Sequence, residues 1–436
     1  MFCNQCQQAL GGEGCTRAGV CGKSPDVQSL QENLLYSLKG ISAYAYHARE
    51  LGYSDPEVDA FFAEGLYSTL TNVDFDLGRF LALNLKAGRM TLKIMQVLRR
   101  AHVETFGEMA PVQVPTGTFK GHGILVTGHN LKALYELLRQ TEGTGINVYT
   151  HSELLPAHAY PKLHAFPHLK GNLGKAWFDQ RSLFKAFPGA IVGTSNCVLT
   201  PSTEYRDRMF TIGVAGLPGV AHLDGYDFRP VIEKALSLPE LPDAPGETTL
   251  VTGFSDTNLL PLADKLIAAV KAGKIRHFFL VGGCDAPGDN RAYYRDFVRL
   301  APPDTVILTL ACGKFRFNDF DLGEIDGIPR LIDLGQCNDA LSAINLAAAL
   351  AEAFGCTVND LPLTLVLSWM EQKAVAILMS LFALGLKGMY LGPTPPAWLT
   401  PAVVGVLQEQ FDLQLTGEPA ADLARMLGRE EDQAAG

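Results

Sequence analysis

The sequence predicts a multidomain α/β protein, in which an N-terminal helical bundle with a cysteine-rich cap precedes two α/β domains built on parallel sheets. Three observations support this class. Residues 26–109 carry apolar side chains at helical spacing. From about Thr116 short β-rich runs alternate with helical ones, as parallel strands covered on both faces require. A chain of 436 residues also exceeds one ordinary hydrophobic core and fits two or three domains.

The cap comes first. In MFCNQCQQALGGEGCTRAGVCGK, Cys3, Cys6, Cys15 and Cys21 follow the pattern C-x2-C-x8-C-x5-C, with glycines that let the backbone wrap closely round a compact inorganic core. Four thiolates also suit tetrahedral zinc, but zinc ribbons more often show two C-x2-C pairs, so the single pair here favours an iron–sulfur cluster. Leu30, Leu34, Leu38, Ile41 and Ala45 then mark one helix. Ser54-Asp55-Pro56-Glu57 reads as a capping box opening a second, and a third is expected from about Asp76 to Phe106.

The first α/β domain is read from GILVTGHNLKALYELLRQ, INVYTHSELL and GAIVGTSNC. Residues 236–249 (LSLPELPDAPGETT), with three prolines, form the best candidate linker. The second α/β domain contains TLVTGF, a helix over 260–272, HFFLVGGCD, TVILTLACGK, RLIDLGQCND, LVLSW and MYLGPTPP. The expected domains are therefore 1–113, 114–243 and 244–436.

Composition narrows the function. With 46 Asp+Glu against 36 Lys+Arg the net charge is −10, which disfavours nucleic acid and anionic membrane as partners. The longest apolar run, residues 374–386, is too short to span a bilayer. No signal-peptide pattern precedes Cys3, so the mature chain is expected to begin at Met1 and, with metal-binding thiols, to reside in the cytoplasm.

Cys284, Cys312 and Cys337 each follow a β-run directly, and the carboxyl ends of parallel strands share one crevice. A lone buried cysteine is usually a small hydrophobe, but three at equivalent positions are not explained that way. Cys197 occupies the same kind of position, whereas Cys356 follows a helix and reads as structural. His129 and Glu153 also sit at strand ends, and Glu371 opens an apolar helix with Lys373 behind it. Each has a plainer reading: a helix-start histidine, a carboxylate favouring a helix dipole, a snorkelling lysine. Together, thiolates, imidazole and carboxylates suggest a metal cluster of mixed sulfur and oxygen character. No intact G-x-G-x-x-G follows a strand and no Walker pattern occurs, which argues against nucleotide chemistry.

These residues lie in motifs that resemble the hybrid-cluster protein, or hydroxylamine reductase, family over nearly the whole chain: MFCNQCQQ, TGHNLK, QTEGTG with YTHSE, TSNC, GGCD, LACGK, GQCND and WMEQKA, in that order. The resemblance implies a [4Fe-4S] cluster on Cys3, Cys6, Cys15 and Cys21. It implies a hybrid [4Fe-2O-2S] iron–sulfur–oxo cluster on His129, Glu153, Cys197, Cys284, Cys312, Cys337 and Glu371, with Cys284 at the position that carries a persulfide. It also implies kinship with nickel carbon monoxide dehydrogenases and thus two Rossmann-like domains after the helical bundle, with the hybrid cluster at their junction. Full-length members carry two related helical segments before the first α/β domain, whereas this chain passes from one into VETFGEMAPVQV, as a short form would.

The expected activity is reduction of hydroxylamine to ammonia and water, of nitric oxide to nitrous oxide, or both, with electrons from an external donor protein. Cys284 is expected at the reacting centre, with Lys373 and His151 as proton donors. Asn196, Asp285 and Asn338 flank ligand cysteines and are candidates for orienting them. The rival readings are a redox sensor or S-nitrosylating protein using the Cys284 sulfur and a carbon monoxide dehydrogenase-like enzyme. A homo-oligomer is compatible with the sequence.

Overall fold

A computed structural model describes Met1–Gly428. The described chain packs as two compact units: residues 1–101 together with residues 355–428, and residues 102–354.

In the first unit the cap is tied backbone to backbone. Cys3 N–H donates to Cys15 O at 3.0 Å and Cys15 N–H to Cys3 O at 2.8 Å. Helix α1 (Pro25–Glu50) begins at Ser24, whose hydroxyl accepts the Val27 N–H, with proline at the first helical position. Its apolar stripe, Leu30, Leu34, Leu38, Ile41 and Ala45, is buried as expected. Helix α2 (Pro56–Ser68) is capped by Asp55 rather than Ser54: the Asp55 carboxylate accepts the N–H groups of Glu57 and Val58. Helix α3 spans Leu77–Phe106. Later in the chain, the parallel strands Leu363–Ser368, Tyr390–Gly392 and Gln414–Leu415 and the helix Gln372–Ala383 complete the unit. That helix crosses α1 at Gly40, where a Cβ would lie 2.7 Å from both Ala376 Cβ and Gln372 O.

The second unit opens with β1 (Val112–Thr118), β2 (His122–Thr127), helix α4 (Leu131–Thr141), β3 (Ile146–His151), β4 (Leu169–Asn172), β5 (Ala190–Gly193), β6 (Met209–Ile212), β7 (Ala221–Leu223) and β8 (Ala244–Thr252). Strands β2 to β7 form one parallel sheet in the order β4-β3-β2-β5-β6-β7. The order reverses between β2 and β5, and their carboxyl ends open the crevice in which such sheets hold ligands. One face of the sheet packs Leu125, Tyr149, Phe184, Ile191, Tyr205 and Met209, which together exclude water from its core. Strands β9 (His277–Gly283) and β10 (Thr305–Thr309) pair in parallel, and Leu331–Asp333 pairs with β10 on its other side.

The proline-rich segment is only partly a linker, because its second half is β8. This strand pairs antiparallel with β1, from Thr118 against Ala244 to Val112 against Thr252. A bulge between Pro115 and Gly117 absorbs Pro245 opposite Gly117. Gly117 has φ +81°, and a Cβ there would lie 2.3 Å from Gly246 N. Both expected domain boundaries, 113/114 and 243/244, therefore fall at this ribbon, inside one compact unit. Among the described residues no helix is long and apolar enough to cross a membrane.

Candidate metal centre

The turns after β2, β3, β5, β9, β10 and Leu331–Asp333 carry the candidate donors of the second unit, and each turn contains a residue in the left-handed region. These residues are Gly128 (φ +118°), Ser152 (+54°), Cys197 itself (+65°), Gly283 (+114°), Ala311 (+62°) and Gly335 (+122°). At Ser152, Cys197 and Ala311, which carry a Cβ, this strain persists only where the surroundings over-determine it. At Gly128 the reason is steric: a Cβ would lie 2.4 Å from Thr194 Oγ1 and 2.7 Å from Ser195 Oγ. Ser195 occupies that space instead.

Ser195 Oγ accepts the His129 N–H at 2.8 Å and meets His129 Nδ1 at 2.8 Å. With Nδ1–H donating to the hydroxyl, Nε2 keeps its lone pair for a metal. Nε2 lies 3.9 Å from Glu153 Oε2. The same carboxylate oxygen accepts the Cys337 N–H at 3.0 Å, and Gln336 Nε2 donates to Glu153 O at 2.6 Å. His129, Glu153 and Cys337 thus each offer a buried donor atom, all within 4.8 Å of one another.

Cys312 joins this group from β10. Its Sγ lies 3.3 Å from Ser152 Oγ. Burial pushes its thiol well above the ordinary range, and the negative charges of Glu153, Cys197 and Cys284 push the same way. Anionic donors converging in a dry pocket repel one another unless a cation lies among them, so the donor set fits a metal cluster. Its mixture of thiolate, imidazole and carboxylate suits iron with both sulfur and oxygen ligation.

Cys197 and Cys284 are half-buried. Gln180 Nε2 donates to Cys197 O at 2.6 Å, and Asn196 Nδ2 donates to the Cys197 sulfur at 3.2 Å. Cys284 O accepts Arg291 Nη1 at 3.4 Å. The next residue, Asp285, is buried, with Arg316 Nε at 2.7 Å and Arg291 Nη1 at 4.0 Å. Burial raises the Asp285 carboxyl and the arginines oppose that rise. Trp177 Nε1 holds Asp285 O at 2.7 Å, so the segment bearing Trp177 and Gln180 fastens both the Cys284 and the Cys197 turns. Asn338 donates to Asp339 Oδ1 at 3.1 Å.

The second unit therefore gathers His129, Glu153, Cys197, Cys284, Cys312 and Cys337. Glu371 and Lys373 belong to the first unit. Glu371 caps the helix Gln372–Ala383, accepting the Lys373 N–H at 3.1 Å, and buried Lys373 Nζ lies 3.9 Å from Glu371 Oε1. His47 on α1 is held down to about 4, mainly by burial and then by the charge of Lys373. His151 is placed differently from the expectation of a proton donor. Its ring stands against Phe184 at 5.3 Å in the sheet core, its Nδ1 meets Thr127 Oγ1 at 2.9 Å, and burial holds it down to about 3. It is a neutral core ring at neutral pH.

In the cap, Cys3 and Cys15 are buried and Cys6 and Cys21 half-buried. The N–H groups of Val20 and Leu10 hold the Cys15 thiol below its ordinary value, favouring the thiolate form that metals bind.

Sequence reading missed residues that hold the donor turns, namely Ser195, Gln336, Gln180 and Trp177. Ser195 and Gln336 stand inside the motifs TSNC and GQCND, which was the available signal. Gln180 and Trp177 lie far from any donor in sequence and left none.

The profile of the prismane/CO dehydrogenase family matches residues 1–83 and 76–424. The chain belongs to this family. It is 62% identical over 427 residues to a hydroxylamine reductase of Thermotoga petrophila, covering 98% of this chain and 99% of the relative. It is 62% identical over 428 residues to one of Moorella thermoacetica, covering 98% and 100%. Membership makes it an iron–sulfur oxidoreductase. A 42% identical hydroxylamine reductase of Geobacter sulfurreducens aligns over 549 positions, more than the 436 residues present here, so this chain is a short form. The two matched stretches overlap at 76–83, in the first turns of α3. In fold the chain is similar to carbon monoxide dehydrogenase IV from Carboxydothermus hydrogenoformans, with a TM-score of 0.79 at 15% identity over 99% of this chain and 92% of that one.

Proposed function

We propose that this protein reduces hydroxylamine to ammonia and water, consuming two electrons and two protons for each N–O bond broken. Cys3, Cys6, Cys15 and Cys21 would hold a [4Fe-4S] cluster, which would supply electrons drawn from an external donor protein. His129, Glu153, Cys197, Cys284, Cys312 and Cys337 would hold a hybrid iron–sulfur–oxo cluster, which would supply the site of N–O cleavage. The observation that carries this reading is the mixed donor set: the imidazole, carboxylate and thiol of His129, Glu153 and Cys337 converge within 4.8 Å, and Cys312 feels the charges of Glu153, Cys197 and Cys284. The activity of the relatives, 59–62% identical over almost their whole length, supports it.

Bound to these residues, the cluster supplies electrons and an iron position at which an N–O group can bind. The chain does the rest. Ser195 orients His129, and Gln336 locks the Glu153 turn against the Cys337 turn. Lys373, whose Nζ lies 3.9 Å from Glu371 Oε1, would serve as a proton source. The test is anaerobic purification, iron and acid-labile sulfide analysis, an EPR spectrum, and turnover of hydroxylamine with a reduced dye. Two distinct iron centres and ammonia as product are expected. A protein with two centres that leaves hydroxylamine untouched would overturn the substrate, and one without iron would overturn the whole reading.

A further inference from the structure

We infer that Lys314 is a positioning residue whose buried ammonium clamps the Cys312 turn to the Cys337 turn and sets their separation before any metal arrives. The inference rests on the reading of these two cysteines as ligands.

Lys314 lies in the turn Cys312–Arg316 and has no exposed surface. Its Nζ meets three acceptors, Asp333 Oδ1 at 2.7 Å, Asp333 Oδ2 at 2.8 Å and Gly335 O at 2.8 Å. These use all three ammonium protons. Asp333 ends its strand and is itself buried, and its Oδ1 also accepts the Gly335 N–H at 3.0 Å. Gly335 O accepts a second bond, from Ala311 N–H at 3.0 Å. One carbonyl two residues before Cys337 therefore receives both the residue before Cys312 and the residue two after it.

Both turns so joined carry a left-handed residue. Ala311 has φ +62°, unfavourable for a residue with a Cβ, and Gly335 has φ +122°, where a Cβ would lie 2.3 Å from Asp339 Oδ2. A buried ion pair is a poor stabiliser in itself, and an apolar pair of similar volume is often as stable or more so. What such a pair does supply is geometry, because the ammonium fits only where its acceptors stand. Asp333 and Lys314 lie behind the donors, in the structure that aims them.

The test compares anaerobically purified wild type with Lys314→Met, Lys314→Arg, and Lys314→Met combined with Asp333→Leu. It measures thermal melting, iron per chain, the EPR spectra of the two centres, and amide exchange over residues 311–317 and 333–339 in metal-free protein. The single Lys314→Met strands Asp333 and lowers the melting temperature. The double variant regains it. Positioning predicts that the double variant still shows an altered or absent second-centre spectrum, an unchanged cap spectrum, and exchange in the two turns faster by about tenfold or more, with Lys314→Arg partly restoring the spectrum. A double variant with wild-type second-centre spectrum and exchange overturns the inference, as does a spectrum that follows melting temperature alone. A wild type lacking the second centre overturns the ligand reading instead, and the exchange measurement then decides the clamp by itself.

Discussion

The two donor groups of this chain are built in opposite ways. The cap draws four cysteines from its first 21 residues, with one backbone bridge between Cys3 and Cys15 and large apolar side chains, Phe2, Leu10 and Val20, left exposed around it. The strand-end nest draws six donors from residues 129 to 337 and backs them with buried bonds to Ser195, Gln336 and Lys314. A local site needs little fold to assemble, and the metal supplies most of its order. A dispersed site needs the sheets first, because only the sheets bring its donors together. The cap can therefore be read from spacing alone, while the nest becomes legible only once strand ends are recognised as a common address.

The sharpest way to break this comparison is to remove one donor from each. Glu153→Gln keeps an oxygen for the Cys337 N–H but removes the anionic ligand. It should lower hydroxylamine turnover by at least about a hundredfold and alter the second-centre EPR spectrum with the cap signal unchanged. Cys21→Ser should abolish the cap signal and leave the second centre intact. If either substitution erases both signals, the two sites are not independent.

Lys373→Met should reduce turnover by about a hundredfold, the usual worth of a placed general acid, while iron content and both spectra stay as in wild type. Unchanged turnover would take the proton-donor role away from Lys373.

Ser195→Ala should act more gently, reducing iron retention in the second centre by about tenfold, since it frees the ring that Ser195 orients. Iron release to a chelator, followed spectroscopically, measures this. Equal release from both variant and wild type would show that His129 needs no such support.

The smallest effect concerns acid. Burial holds His151 and His158 down to about 3 and His47 to about 4, against an ordinary 6.5. In the unfolded chain these rings take up protons at a pH where the folded chain keeps them neutral. The stability they contribute is therefore fully present above about pH 6.5 and is lost as pH falls toward 4 and then 3. Melting temperatures across that window should fall steadily; a flat profile would show that the rings are not desolvated as described.

Much of this was legible in the sequence because the signals are local. Helix α3 begins within a residue of its expected start, and the donors stand where β-runs stop. Three features escaped. Asp55 rather than Ser54 caps α2, because both residues have capping chemistry and only the backbone path decides between them. Part of the proline-rich segment pairs as β8 because Pro245, the one of its prolines inside the strand, meets a bulge on a two-stranded ribbon, where a missing N–H costs little. His151 looked functional beside Glu153, but the ring belongs to the core around Phe184. Bonds such as Gln180 to Cys197 and Trp177 to Asp285 join segments that no periodicity links, so only the fold reveals them.

The ribbon has a consequence of its own. Thr118 faces Ala244, and Gly121 bridges Leu241 just beyond. The segment 119–243 that carries the whole six-stranded sheet is thus threaded through a single doorway, its two ends standing side by side like those of a loop of string. A guest inserted in this manner leaves the path of its host unchanged, because the chain departs and returns at neighbouring positions.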